Sequence, residues 1–165
     1  MKFKNNFSKS NNNITIFLPI RKGSKRIKNK NIKSLPGFKL GMTELKIYQL
    51  NKLRIAYKKI YKKDLEIIVS TDCPKILKFT KNLKWLKVLK REKYLSSDDT
   101  LTKLIQYVPK ICLNKYILWT HVTSPKFDEK DYLKFIERFF RMIKKRSLSK
   151  SVFSADLIQK FVLNH

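Results

Sequence analysis

Between positions 21 and 31 the chain sets Arg21, Lys25, Arg26 and Lys30 around one glycine, Gly23, with Ser24 and Asn31 as neutral hydrogen-bonding neighbours. This combination suits a phosphate-like anion. Guanidinium and ammonium groups make charge-assisted hydrogen bonds, and glycine lets backbone N–H groups approach the anion closely. The cluster follows directly on ITIFLPI, Ile14 to Ile20, a short apolar run bounded by turn chemistry that reads as a buried strand. A buried strand opening into a cationic loop is how α/β proteins present a phosphate site at the carboxyl edge of a sheet.

Further residues could join such a site, and each has a plainer reading. Asp72 follows Ser70-Thr71 at a second strand end, where it serves equally well as a ligand-facing group or a helix N-cap. Arg91 faces either a pocket or the solvent. Ser97 and Asp98, followed by Asp99 and Thr100, precede an apolar periodic segment, and carboxylates there suit the positive end of a helix. His121 ends a strand and can donate or accept a hydrogen bond, although a lone histidine is more often structural. In so lysine-rich a chain a single lysine means little; Lys30 gains weight from its place relative to Arg21 and Gly23.

The elements that would position these groups alternate. Strands are expected at Ile14 to Ile20, Glu66 to Ser70, Lys87 to Lys90, Tyr116 to Thr120 and Ser151 to Ala155, with a further one at Phe161 to Leu163. Thr43 caps an expected helix to about Tyr61, with Leu45, Tyr48, Leu53, Ala56, Tyr57 and Ile60 near one face. Pro74 suits the first turn of a short helix ending near Asn82, with Asp72 or Cys73 just before it. Leu101, Leu104, Ile105 and Val108 mark a helix that Pro109 ends or kinks. Asp128 or Asp131 opens another, with Tyr132, Phe135, Ile136, Phe139 and Ile143 at helical spacing. This rhythm implies a parallel, mostly buried sheet with crossover helices.

Composition bounds the function. The 165 residues suit one domain, and 42% hydrophobic content suits a globular core. A net charge of +27 fits a nucleic acid, an acidic membrane surface or a phosphorylated substrate. Lysine is spread along the whole chain, so most of the charge reads as solvated surface and only the first-loop cluster as site chemistry. Trp85, Trp119 and the Phe139-Phe140 pair fall in strand or amphipathic patterns rather than among cations, which argues against a nucleic-acid stacking platform. Cys73 and Cys112 form no CxxC motif or disulfide framework, so a reducing, cytoplasmic setting is expected. No apolar run is long enough to span a membrane, and residues 1–13 read as a polar, disordered leader without a secretory h-region.

The segment PIRKGSKRIKNKNIK, Pro19 to Lys33, resembles the signature loop of the acylneuraminate cytidylyltransferases, the CMP-sialic acid synthetases. Four later blocks resemble that family in the same order: IIVSTDCPKI from Ile67, REKYLSSDDTLT from Arg91, ILWTHVTSP from Ile117 and SVFSA from Ser151. The resemblance implies a three-layer, Rossmann-like nucleotide-diphospho-sugar transferase fold, mostly parallel with helices on both faces. Residues 14–165 would form its nucleotide-binding domain, short at the C-terminus. The implied reaction transfers CMP from CTP to a sialic-acid-like sugar acid with release of pyrophosphate. Lys30 and Arg21 would be catalytic. Arg21, Gly23, Ser24, Lys30, Asn31, Ser97, Asp98 and His121 would bind nucleotide, and Lys160 the sugar. Mg²⁺ is expected without identified ligands, a homodimer is left open, and neither a membrane nor a nucleic-acid partner is expected. Histidine at 121 stands where the family usually has glutamine, and Val122 where it has proline. The family's sugar-facing residues and metal-binding aspartates lie in a later segment. An inactive nucleotide-binding remnant and a basic nucleic-acid-binding protein are the alternatives.

Overall fold

The computed structural model describes residues 13–23, 27, 29–96, 101–145 and 151–152. Strands and helices alternate: β1 (Ile14–Ile20), α1 (Gly41–Tyr61), β2 (Glu66–Thr71), α2 (Pro74–Thr80), β3 (Lys87–Lys90), α3 (Leu101–Ile111), β4 (Tyr116–Trp119) and α4 (Glu129–Lys144). The strands form one sheet in the order β3-β2-β1-β4, with every neighbouring pair parallel. β1 therefore has a strand on each side. It is also covered on both faces, which is why its sequence is apolar at every position but Thr15 rather than alternating.

Successive side chains of β1 divide between two cores. Ile14, Ile16, Leu18 and Ile20 join Ile67 and Val69 of β2 against Ile47, Leu50, Leu53 and Tyr57 of α1, Ile76 of α2 and Tyr132, Ile136 and Phe140 of α4. Phe17 and Ile68 point the other way and meet Leu104 and Val108 of α3. Burying each such aliphatic side chain contributes roughly 1.5–3 kcal/mol. Helices thus cover both faces of a parallel sheet, as the alternation predicts.

Several local expectations are corrected. α1 begins at Gly41, not at Thr43, and its N-cap is Leu40, whose N–H donates to the Glu44 carboxylate at 2.8 Å. Thr43 is buried in the first turn, where its hydroxyl donates to the Asn31 carbonyl at 2.7 Å. The buried face of α1 runs through Lys46, Ile47, Leu50, Leu53 and Tyr57, whereas Tyr48 is 55% exposed. α2 stops at Thr80, whose hydroxyl returns to the Ile76 carbonyl at 2.8 Å. Its N-cap is Cys73, with no side-chain cap, so Asp72 does not have that role. Pro109 lies inside α3 and the helix runs on to Ile111. The carbonyl that Pro109 leaves free belongs to Ile105, which is on the solvent side. Asp128 and Asp131 together form a capping box at the start of α4.

Ser151 and Val152 lie in no strand, and the rest of the strand expected there, the one at Phe161 to Leu163 and the leader over residues 1–12 fall outside the described residues. Among the described residues no helix is long and apolar enough to cross a membrane.

Candidate functional site at the carboxyl edge of the sheet

The register of the strands builds the site. Ile20 is paired with Thr71, and Thr71 with Lys90, so three strands end in one row. The next residue on each strand is Arg21, Asp72 and Arg91, respectively. Strands stand about 4.8 Å apart, so the Asp72 carboxylate emerges between two guanidinium-bearing positions. The electrostatics agree: burial and Arg21 lower the pKa of Arg91, while Asp72 opposes them. Asp72 also accepts the backbone N–H of Lys22 at 2.5 Å. That bond ties the start of the first loop to the end of β2.

Arg91 is the buried member of the row, 8% exposed. Its Nε donates to Ser70 Oγ at 3.2 Å, its Nη2 donates to the Ser70 carbonyl at 2.7 Å, and its backbone N–H donates to the Thr71 carbonyl at 2.8 Å. The sequence left Arg91 between pocket and solvent; the structure places it in the edge of the sheet as a fixed cation. A planar guanidinium can bridge a hydroxyl and a carbonyl on one neighbouring residue, which an ammonium does less well.

The first loop departs from this row. Arg21 is half-buried and Gly23 is exposed with φ +76°, a left-handed conformation that favours glycine. Lys30 and Asn31 lie in a 3₁₀ turn, Lys30–Ile32, entered through Asn29 at φ 57°. The buried Thr43 hydroxyl holds that turn against the start of α1 through the Asn31 carbonyl. The Asn31 side-chain oxygen is buried and has no hydrogen-bond partner among the described residues. Ser24, Ser97, Asp98 and Lys160 lie outside the described residues.

β4 ends sooner than β1: its last pair is Phe17 with Trp119, after which Thr120 N–H donates to the Phe17 carbonyl at 2.9 Å. His121 therefore leaves the sheet below the Arg91–Asp72–Arg21 row. Its ring centroid is 6.4 Å from that of Trp119, and partial burial lowers its pKa. It lines a cavity of about 550 Å³ along the outer edge of β4, together with Trp119, Thr120, Ser124, Tyr132 and Phe135.

One group near His121 escaped sequence reasoning. Lys46 of α1 is fully buried, and its ammonium donates to the carbonyls of Ser124 and Phe127 at 2.8 and 2.9 Å. It also lies 3.3 Å from the Tyr132 hydroxyl, which shares a hydrogen bond with the Thr120 hydroxyl. Gln49, one turn along α1, donates to the Pro125 carbonyl at 2.7 Å. The only signal in the sequence is a lysine at i−4 from Leu50 on the apolar stripe of α1, and an abundance of lysine hides it.

Among the described residues no three His, Cys, Asp or Glu side chains converge as metal ligands.

Comparison with solved structures finds CMP:2-keto-3-deoxy-manno-octonic acid synthetase complexed with CTP, with a TM-score of 0.53 at 18% identity. The match covers 82% of this chain and 49% of that one, so the chain spans about half the length of its structural relative. The two chains thus share an α/β fold. A search of curated proteins finds no match. A family model described as cytidylyltransferase matches residues 15–159, nearly the whole chain. The chain belongs to the cytidylyltransferase family.

Proposed function

We propose that this protein transfers CMP from CTP to a sugar acid. A hydroxyl oxygen of the sugar acid attacks the α-phosphorus. The bond from that phosphorus to the bridging oxygen of the β-phosphate breaks, pyrophosphate leaves with the electron pair, and the hydroxyl proton passes to solvent. The observation that carries this reading is the row of Arg91, Asp72 and Arg21 at the carboxyl edge, continuing into a cationic loop in a chain of this family. A neighbouring fold whose structure holds CTP supports the choice of nucleotide. The first-loop resemblance supports a sialic-acid-like nonulosonic acid as acceptor.

Catalysis of such a step rests on positioning and on stabilising charge that develops at the phosphates. In this reading Arg21 and Lys30 hold the triphosphate. Gly23 and Ser24 turn the backbone toward it, and the open acceptor of Asn31 takes a donor from the nucleotide. Ser97, Asp98 and His121 are assigned to nucleoside binding, and Lys160 to sugar binding. Mg²⁺, the usual counter-ion of a nucleoside triphosphate, is included in the assay.

The test is pyrophosphate release from CTP and Mg²⁺ with a panel of nonulosonic and related keto sugar acids. Lys30→Ala is expected to lower turnover by about 10²-fold or more while leaving the circular dichroism spectrum and melting temperature unchanged. CTP binding without pyrophosphate release by the wild type would favour the inactive remnant. Binding to oligonucleotides that falls steeply with salt and ignores CTP would favour the nucleic-acid reading.

A further inference from the structure

We infer that Lys46 is a positioning residue that sets the turn from His121 to Phe127, and with it the nucleoside side of the site; this deepens the CTP reading above and rests on it. The turn connects β4 to α4. Its backbone is held from outside mainly by α1: Lys46 takes the carbonyls of Ser124 and Phe127, and Gln49 takes that of Pro125. Within the turn, Phe127 N–H donates to Ser124 carbonyl at 3.2 Å.

The same ammonium reaches the start of the turn by a second route. It contacts the Tyr132 hydroxyl, lies 5.1 Å from the centre of the Tyr132 ring, and is linked through that hydroxyl to Thr120, the residue before His121. One buried group therefore holds the far end of the segment that carries His121 and is linked through Tyr132 to its start.

A buried cation is costly, and an apolar side chain of similar volume would often serve stability as well. Among the described residues Lys46 has no carboxylate ion pair; Asp128 acts on it only at longer range. What an apolar residue could not supply is three N–H donors diverging to two carbonyls and a hydroxyl. That requirement is geometric, and it fixes the turn rather than the core.

The test uses the full chain and Lys46→Met, which keeps the stem and removes the donors. Three quantities are read: the His121 ring pKa by NMR titration, the dissociation constant for CTP, and the fold by circular dichroism. The expected result is a folded variant in which the His121 pKa rises toward the ordinary histidine value. CTP binding weakens roughly tenfold, and adding His121→Ala weakens it by less than the same change does in wild type, as for coupled neighbours. A folded variant with an unchanged His121 pKa and CTP affinity within about twofold of wild type would overturn the inference. Should Lys46→Met fail to fold, Tyr132→Phe, which removes only the bridging hydroxyl, is judged by the same two readouts. If the wild type does not bind CTP, the functional reading fails by itself. The His121 titration then decides alone: a shift supports the link between Lys46 and the turn, and no shift overturns it.

Discussion

Arg91 shows what a single side chain does at this edge and why its role was hard to read in advance. It opens the block REKYLSSDDTLT, but whether it faces inward depends on the register of β3 against β2, which no local pattern fixes. In the fold, its guanidinium satisfies Ser70 twice and faces Asp72 along the row. Replacing it by methionine removes both charge-assisted hydrogen bonds to the buried Ser70. Such losses cost about 1–3 kcal/mol each. Arg91→Met is therefore expected to lower the unfolding free energy in urea by about 2–4 kcal/mol. Arg91→Lys should recover part of that, because the charge opposite Asp72 remains while the planar fork does not. Equal stability of all three proteins would show that the bonds to Ser70 contribute nothing net. Lys46 was harder still to foresee. Its surroundings come from residues about 80 positions away, and only the tertiary fold brings them together.

At the scale of elements, the sequence was most legible where one force dominates. β1 is recognisable because it is a short run, apolar but for Thr15, bounded by turn chemistry, and α4 because its acidic cap and aromatic spacing agree. The start of α1 was misread because the deciding feature is not a side-chain cap. Gly41 has φ +53°, and a Cβ there would lie 1.9 Å from the Lys33 carbonyl oxygen, which is backbone and cannot swing aside. The chain passes over Lys33 at this point and turns into the helix, which then holds the Lys30–Asn31 turn through Thr43. Gly41→Ala is expected to destabilise the fold by about 1–3 kcal/mol and to weaken CTP binding, since strain at this joint displaces the turn that carries Lys30. Gly37, at φ +79° with open space around it, provides the comparison: Gly37→Ala should cost less, through backbone conformation alone. Chemical denaturation of both variants checks the ranking, and a larger loss at Gly37 would contradict it. Ser24, Ser97, Asp98 and Lys160 fall outside the described residues, so the part of the candidate site that was legible and can be placed is Arg21, Gly23, Lys30, Asn31 and His121.

Over the whole molecule, the titration of buried and half-buried groups shapes how stability changes in alkali. Burial lowers the Lys46 pKa from 10.5 to about 8, against the pull of Asp128. It raises those of Tyr57 and Tyr132 from 10.0 to about 12, with the Thr120 hydrogen bond opposing the second shift. Between pH 8 and 10.5 the unfolded chain binds a proton at Lys46 that the native chain has lost, which raises stability with pH; from pH 9 the Cys112 thiol, raised by burial to about 11, keeps a proton that the unfolded chain loses and opposes the rise. The gain is about 3 kcal/mol at most. Above pH 10 the unfolded chain loses tyrosine protons that the native chain keeps, so stability falls toward pH 12. The two windows place the maximum near pH 9 to 10, above the usual range for globular proteins. The net charge of +27 pushes in the same direction, because deprotonating surface lysines relieves self-repulsion. Lys46→Met separates the two causes. If the buried ammonium matters, urea midpoints measured from pH 7 to 11 rise less steeply between 8 and 10 in that variant than in wild type, while the decline above pH 10 is common to both. Parallel curves throughout would assign the whole rise to surface charge.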